Sequence, residues 1–462
     1  MTRSARRRSG AVLAALVVAC ALIALPQASY AATADDDEAS DPTPSASPRS
    51  TPTPTPTPTP DPVRSAEYWL EEYGIAEAWE TTRGEGTTIA VIDSGVASDI
   101  DELDGAVTGG ADMSGVGSDD GRTPLGSDVH TRSHGTWVAS LAAARGTGED
   151  EGMIGVAPAA NILSVSIGFQ SVSEVPFDQQ VADAMKWSVD NGADIINLSF
   201  TTNQTAWGTI WDEAFLYALE HDVLVVVAAG NRAGGTEVVG APATIPEALV
   251  VGGVDPSGRA SDAASTQGVS IGVSGPSEKL LGIGPSGEID EWSGTSGAAP
   301  IISGVAALVK SAHPDIDVNN LINRIVRSAD RAPDQDGARD PSYGFGIIDA
   351  AGAVSSSIGA VSSNPVSDIT LKEWIRLNRS TGSTGQLESG TQPTPAPVEL
   401  PALPPRDAPV EASNPYLPSP ESLREVTLPL FALTAAGSLV LLGVLVVSRR
   451  LRSLRAERDS GS

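Results

Sequence analysis

The chain has 462 residues, with 29 Lys+Arg against 58 Asp+Glu and a formal net charge of −29. That balance excludes a nucleic-acid backbone or an anionic membrane surface as the main docking partner, since both need a basic face. One Cys excludes a disulfide framework, a Cys-rich zinc module and a thiol redox motif, four His leave room for one catalytic His but little for a His-rich metal cluster, and 40% apolar residues are enough for a sizeable core.

Residues 1–31 read as an export signal. Arg3, Arg6, Arg7 and Arg8 form its charged start, Ala11 to Leu25 its apolar run, and Ser29-Tyr30-Ala31 offers small residues for cleavage. The run is about 15 residues, short of the roughly 20 a spanning helix needs, which favours cleavage over an N-terminal anchor. Cys20 lies inside the run, and Val17-Val18-Ala19-Cys20 resembles a lipoprotein cleavage box, but apolar residues continue past it to Leu25. Residues 32–62 begin acidic, at Asp35 to Glu38, and become a Thr-Pro repeat from Thr51 to Pro60. Such a segment buries little apolar area and reads as an extended linker.

Residues 63–357 have the texture of a folded domain. Thr88 to Ile92, Asn161 to Ile167, Asp194 to Leu198, Val223 to Ala228 and Ala248 to Val251 are short apolar runs bounded by Gly, Asp, Asn or Pro. They suit parallel strands buried on both faces. Helix-like stretches lie between them: Ser133 to Arg145, Phe177 to Asn191, Ile210 to His221 and Ser296 to Ala312. Alternation of this kind predicts an α/β domain with a parallel sheet and active groups at the carboxyl ends of strands.

Residues 358–425 read as a second, Pro-rich linker. From Val426 to Val447 the chain is apolar and uncharged, about 22 residues and so long enough to span a bilayer. Arg449, Arg450, Arg452, Arg455 and Arg458 follow in the tail 448–462, and basic flanks mark the cytoplasmic side. The expected topology is single-pass, with the domain outside the cell.

Four polar residues stand where chemistry is expected. Asp93 ends the first run, and a buried acid there needs a partner; alone, it reads as a turn or capping Asp. His134, in Ser133-His134-Gly135-Thr136, opens a small-residue helix; alone, it reads as a structural His. Its neighbour His130 raises a zinc-hydrolase alternative, but that motif needs Glu directly after the first His, where Thr131 stands. Ser296, in Gly294-Thr295-Ser296-Gly297, starts an apolar helix, so its N–H and the positive helix end would face a developing oxyanion; alone, it reads as an N-cap. Asn231 ends Ala228-Ala229-Gly230-Asn231 and could donate to the same oxyanion; alone, it reads as a turn residue.

Together the order Asp, His, Ser is one of the known orders of serine-hydrolase triads, that of subtilisin. Asp93-Ser94-Gly95, His134-Gly135-Thr136, Ala229-Gly230-Asn231 and Gly294-Thr295-Ser296 through Ala298-Ala299-Pro300 resemble the four signature boxes of subtilisin-like serine proteases. The resemblance implies a three-layer α/β fold with a mostly parallel central sheet, a triad of Asp93, His134 and Ser296, and an oxyanion hole of Asn231 and the Ser296 N–H. Gly155-Val156-Ala157-Pro158 is similar to the family's substrate-edge segment, and Leu198, Ser199 and Phe200 to the strand that walls the S1 pocket. Tyr68-Trp69-Leu70, Ala78-Trp79, the Pro-rich linker and the C-terminal apolar run together resemble mycosins, the membrane-anchored subtilases of type VII secretion in actinobacteria.

That likeness implies a peptide or protein substrate, secretion-machine partners at the cell membrane, no nucleic acid and no required cofactor. It leaves a scaffold role with dispensable proteolysis, and a degradative surface protease, as alternatives. Calcium at the acidic cluster Asp99, Asp101, Glu102 and Asp104 stays unassigned against a solvated loop. The chain also departs from the family pattern. The stretch before the domain is low-complexity, not a folded propeptide; Gly297 follows Ser296 where a bulkier residue is common; Asp99 to Leu103 replaces a His-Pro element; and the Cys pairs frequent in mycosins are absent.

Overall fold

The short runs read as strands do form strands, because each is apolar on both faces. The computed structural model describes residues 61–169 and 173–379. The export signal, the Thr-Pro repeat, the apolar run 426–447 and the basic tail lie outside them. The strands are β1 Thr88–Asp93, β2 Val107–Asp112, β3 Asn161–Ser166, β4 Ile195–Leu198, β5 Leu224–Ala228, β6 Leu249–Val254 and β7 Ile271–Pro276. They pair in parallel in the order β2-β3-β1-β4-β5-β6-β7. An antiparallel hairpin, β8 Leu280–Ile283 and β9 Ile289–Trp292, stands apart from this sheet. The helices are α1 Pro62–Ala66, α2 Trp69–Glu72, α3 Ile75–Ala78, α4 Val129–Ala143, α5 Phe177–Asp190, α6 Thr209–Glu220, α7 Thr295–Ala312, α8 Val318–Ser328, α9 Ala350–Ser355 and α10 Leu371–Arg379.

Side chains alternate along a strand, and this divides the core in two. Ile89, Val91, Ile195, Val226 and Val251 pack with α4 and α7. Ala90, Ile92, Ile196, Val227 and Val250 pack with α5 and α6. The result is the expected three-layer α/β fold. β1 has β3 on one side and β4 on the other, so the chain reverses its winding there, and such a switch point opens a crevice at the strands' carboxyl ends. Asp93 and Ser199 lie at that crevice.

Among the described residues no helix is long and apolar enough to cross a membrane; the run 426–447 lies beyond them.

The second linker, read from sequence as starting at residue 358, gives way here to structure through Arg379. Val366 and Leu371 are buried, and the Leu371 N–H donates to Glu247 Oε2 at 2.7 Å. Trp374 stacks on Trp207 with centroids 4.3 Å apart. Arg379 pairs with the buried Asp212 at 2.8 Å and donates to the Trp207 carbonyl at 2.7 Å. The sequence hides this because α10 (LKEWIRLNR) is largely polar and buries only a narrow stripe. Arg379→Ala is expected to lower stability by about 2 kcal/mol, since it leaves a buried carboxylate without its cation. Urea unfolding of the two proteins checks this.

Glu67, between α1 and α2, is almost fully buried. Burial pushes its pKa up to about 8, against the Ile154 N–H on Oε1 and Arg64 beside Oε2 at 3.1 Å, which both favour the anion. The native state therefore keeps a proton that the unfolded chain releases near pH 4.5. Stability from this group is full below that pH, falls as pH rises toward 8 and levels off above. Glu67→Gln is expected to remove that decline. Thermal unfolding at pH 5 and pH 8 reads it as a smaller difference in Tm for the variant.

Candidate active site

β1 delivers Asp93 fully buried at the crevice, where Oδ1 accepts the Ser94 N–H at 2.7 Å. α4 delivers His134. Asp128 caps this helix by accepting the Thr131 N–H at 2.9 Å, so α4 begins at Val129, one turn before the start read from sequence. His134 thus sits in the second turn instead of at the helix end. Its Nδ1 lies 2.9 Å from both carboxylate oxygens of Asp93. Nδ1 facing a carboxylate carries the proton, which leaves Nε2 as the basic nitrogen. Burial opposes charge on the ring, but Asp93 outweighs it, and the net pKa shift is upward from 6.5. Trp292 of β9 meets the ring edge-on at 5.7 Å.

His130 lies one turn before His134, with ring centroids 6.3 Å apart, and packs on Trp137 at 4.9 Å. Burial and the neighbouring His134 hold its pKa below the usual histidine value. Among the described residues no three His, Cys, Asp or Glu side chains converge as a metal site, at His130 and His134 or at the loop of Asp99, Asp101, Glu102 and Asp104.

Ser296 is the second residue of α7. Its N–H has no acceptor within the helix, as expected of a first-turn donor. Its Oγ donates to the Ser199 carbonyl at 2.7 Å, and Ser199 Oγ returns a bond to the Ser296 carbonyl at 2.8 Å. Ser199 Oγ in turn accepts from Asn197 Nδ2 at 2.8 Å, and Asn197 Oδ1 accepts from Ser303 Oγ at 3.0 Å. This buried chain ties the end of β4 to α7. Ser296 Oγ is not bonded to His134 here; a change of rotamer at Ser296 is needed to free it, and such bonds often form only with substrate in place.

Asn231 follows β5. Its Oδ1 accepts the Thr295 N–H at 2.7 Å and Thr295 Oγ1 at 2.9 Å. A backbone N–H can only donate, so this contact assigns the amide and leaves Nδ2 without an acceptor among the described residues. His134, Ser296 and Asn231 line one cavity of about 570 Å³.

The same cavity takes Ser199 and Phe200 but not the other two residues read as substrate-binding. Leu198 is fully buried in the core under α5 and α6. Gly155 packs against the end of α4: a Cβ there would lie 2.4 Å from the Ala143 nitrogen. Its glycine serves a close backbone approach, which a motif alone cannot tell from a ligand contact.

Sequence reading missed Phe169 and Phe177, which meet Phe200 with centroids 5.8 and 5.5 Å away, and Thr201, Gly230 and Thr236, which also line the cavity. Phe177 opens a predicted helix and Thr201 follows a predicted strand by three residues, so strand-end position was the available signal. Nothing local marks Thr236. Gly297 has a reason as well: a Cβ there would lie 2.4 Å from Leu280 Cδ1 and 3.3 Å from the Trp292 ring. The β8–β9 hairpin occupies the space, so glycine fits the helix start closely against it.

The profile described as Subtilase family matches residues 84–346. Subtilisin E of Bacillus subtilis (strain 168) is 34% identical over 235 residues, 50% of this chain and 57% of that protein; the chain thus spans little more than half the length of this curated relative. The crystal structure of MycP1 from Mycobacterium smegmatis is similar with a TM-score of 0.54 at 26% identity, covering 66% of this chain and 89% of that one. The MycP3 protease from the type VII (ESX-3) secretion system gives a TM-score of 0.54 at 27% identity, covering 65% of this chain and 91% of that one.

Proposed function

The chain belongs to the subtilase family, and from that premise we propose that it is a serine endopeptidase working through an acyl-enzyme. The observation that carries this reading is the buried Asp93–His134 pair at 2.9 Å facing the same cavity as Ser296 and Asn231. Ser296 Oγ attacks the peptide carbonyl while His134 Nε2 takes its proton and later gives it to the leaving amine. Asp93 holds the tautomer and stabilises the imidazolium. Asn231 Nδ2 and the Ser296 N–H receive the oxyanion. Side chains and backbone donors alone carry these steps.

The base must be neutral to act. An upward-shifted His134 is therefore expected to place the acid limb of kcat/KM above pH 6.5, with activity rising through it. Asp93→Asn should move that limb to lower pH, because the stabilising charge is gone. Rates on a peptide substrate from pH 5 to 9 check both.

The likeness to MycP1 and MycP3 supports a finer reading: a protease held at the cell membrane by residues 426–447, its domain outside and its basic tail inside, acting with type VII secretion components on secreted proteins. A scaffold role in the same machine is the rival. Cells carrying Ser296→Ala are compared with a full deletion. Loss of product cleavage with loss of secretion in both supports proteolysis as the role. Normal secretion in Ser296→Ala cells, lost in the deletion, supports the scaffold.

A further inference from the structure

Resting on the acyl-transfer reading, we propose that Thr201 and Thr236 restrict the residue on the acyl side of the cleaved bond to glycine, alanine or serine. The place of that side chain follows from the place of the carbonyl. Asn231 Nδ2 and the Ser296 N–H bracket the oxyanion, and the substrate Cα is one bond from the carbonyl carbon. Its side chain therefore enters the cavity beside Ser199, Thr201, Ala228 and Gly230, which line it next to Asn231 and Ser296.

Two methyl groups sit over Gly230 in that part of the cavity. A Cβ built on Gly230 would lie 2.6 Å from Thr236 Cγ2 and 2.8 Å from Thr201 Cγ2. Both methyls thus press on the wall at one point. Thr201 is held in this rotamer, since its Oγ1 donates to the Gly240 carbonyl at 2.9 Å. Thr236 is held through its backbone: its N–H donates to the Asn231 carbonyl at 3.0 Å and its carbonyl accepts from Thr266 Oγ1 at 2.7 Å. Next to Thr201 the backbone is closely packed. The Thr202 N–H donates to the Ala241 carbonyl at 2.8 Å, and a Cβ on Gly240 would lie 1.7 Å from the Thr202 oxygen.

Charge does not compensate for the lost depth. Arg232, next to Asn231, is turned to Asp262 at 3.4 Å and Gln267 at 3.2 Å. A leucine or phenylalanine at this position must displace packed methyls, whereas alanine or serine needs no movement.

The test uses peptides identical but for this residue, with the full chain in membranes and products read by mass spectrometry. Alanine is expected to exceed phenylalanine in kcat/KM by on the order of 100-fold. T201S keeps the hydroxyl on Gly240 and deletes only the methyl; combined with T236A it should raise the phenylalanine-to-alanine ratio by about 10-fold or more. Phenylalanine cleaved as well as alanine by the wild type overturns the proposal, and so does an unchanged ratio in T201S/T236A. Binding of the same peptides to Ser296→Ala separates this idea from the reading beneath it. If no peptide is cleaved but alanine peptides still bind better, the pocket assignment stands and the protease reading falls. If no peptide is cleaved and both bind equally, the pocket assignment falls too.

Discussion

Ser296→Ala is expected to lower kcat by about 10⁶-fold while the protein stays folded and binds peptide with little change. The fold should tolerate it because Ser296 contributes one side-chain bond, to the Ser199 carbonyl, while the reciprocal bond from Ser199 ends on the Ser296 backbone and survives. His134→Ala should cost about as much, and the double variant no more than either, because nucleophile and base act as one unit. Asp93→Asn should cost less, about 10⁴-fold, since an amide can no longer hold the Nδ1–H tautomer. Residual activity should persist in all of them, because Asn231 and the Ser296 N–H still bracket the oxyanion. Active-site titration together with single-turnover rates reads these losses. A Ser296→Ala protein retaining more than a few per cent of wild-type kcat would remove Ser296 as the nucleophile.

Those variants test residues that sequence alone brings forward, and the reason is physical. Asp93 ends a strand, Asn231 follows one within three residues and Ser296 starts a helix, where an apolar run meets a polar residue and the pattern is visible. The five core strands are legible for the same cause, as both faces are apolar. β7 is not, because its run is interrupted by Gly272 and Gly275. Those glycines are set by neighbours far along the chain: a Cβ on Gly272 would lie 2.9 Å from Leu249 Cδ1. β2 is an edge strand with a glycine pair and half-exposed residues, so it lacks the apolar signal. α10 belongs to the same class, since its anchoring partners Glu247 and Asp212 lie far back along the chain. Gly155 shows the converse: a glycine in a family-like string whose role is packing against α4.

Asp93 and His134 share an origin problem, since they come from different elements and must meet within hydrogen-bonding distance. Gly135 solves it. Its N–H donates to Ser94 Oγ at 3.0 Å, and the Ala97 N–H donates to Thr136 Oγ1 at 3.0 Å; both bonds draw α4 onto the loop after β1. A Cβ at Gly135 would lie 2.4 Å from the Gly95 carbonyl oxygen and 3.0 Å from its carbon and nitrogen. These are backbone atoms, and they cannot yield by a rotamer change. Gly95 itself has φ of +99° and is hemmed in by the Thr123 and Gly121 carbonyls, so the loop cannot retreat either. Gly135→Ala must therefore push α4 outward by about 1 Å, and misplacement on that scale costs on the order of 100-fold in rate. His134, the preceding residue, moves with it. The variant is expected to lose at least that factor in kcat and about 1–3 kcal/mol of stability through overpacking. The upward pKa shift of His134 should weaken as its distance from Asp93 grows, so the acid limb of the pH profile should move down, as in Asp93→Asn. A Gly135→Ala protein with unchanged kcat and an unchanged acid limb would show that this contact does not hold the ring on Asp93.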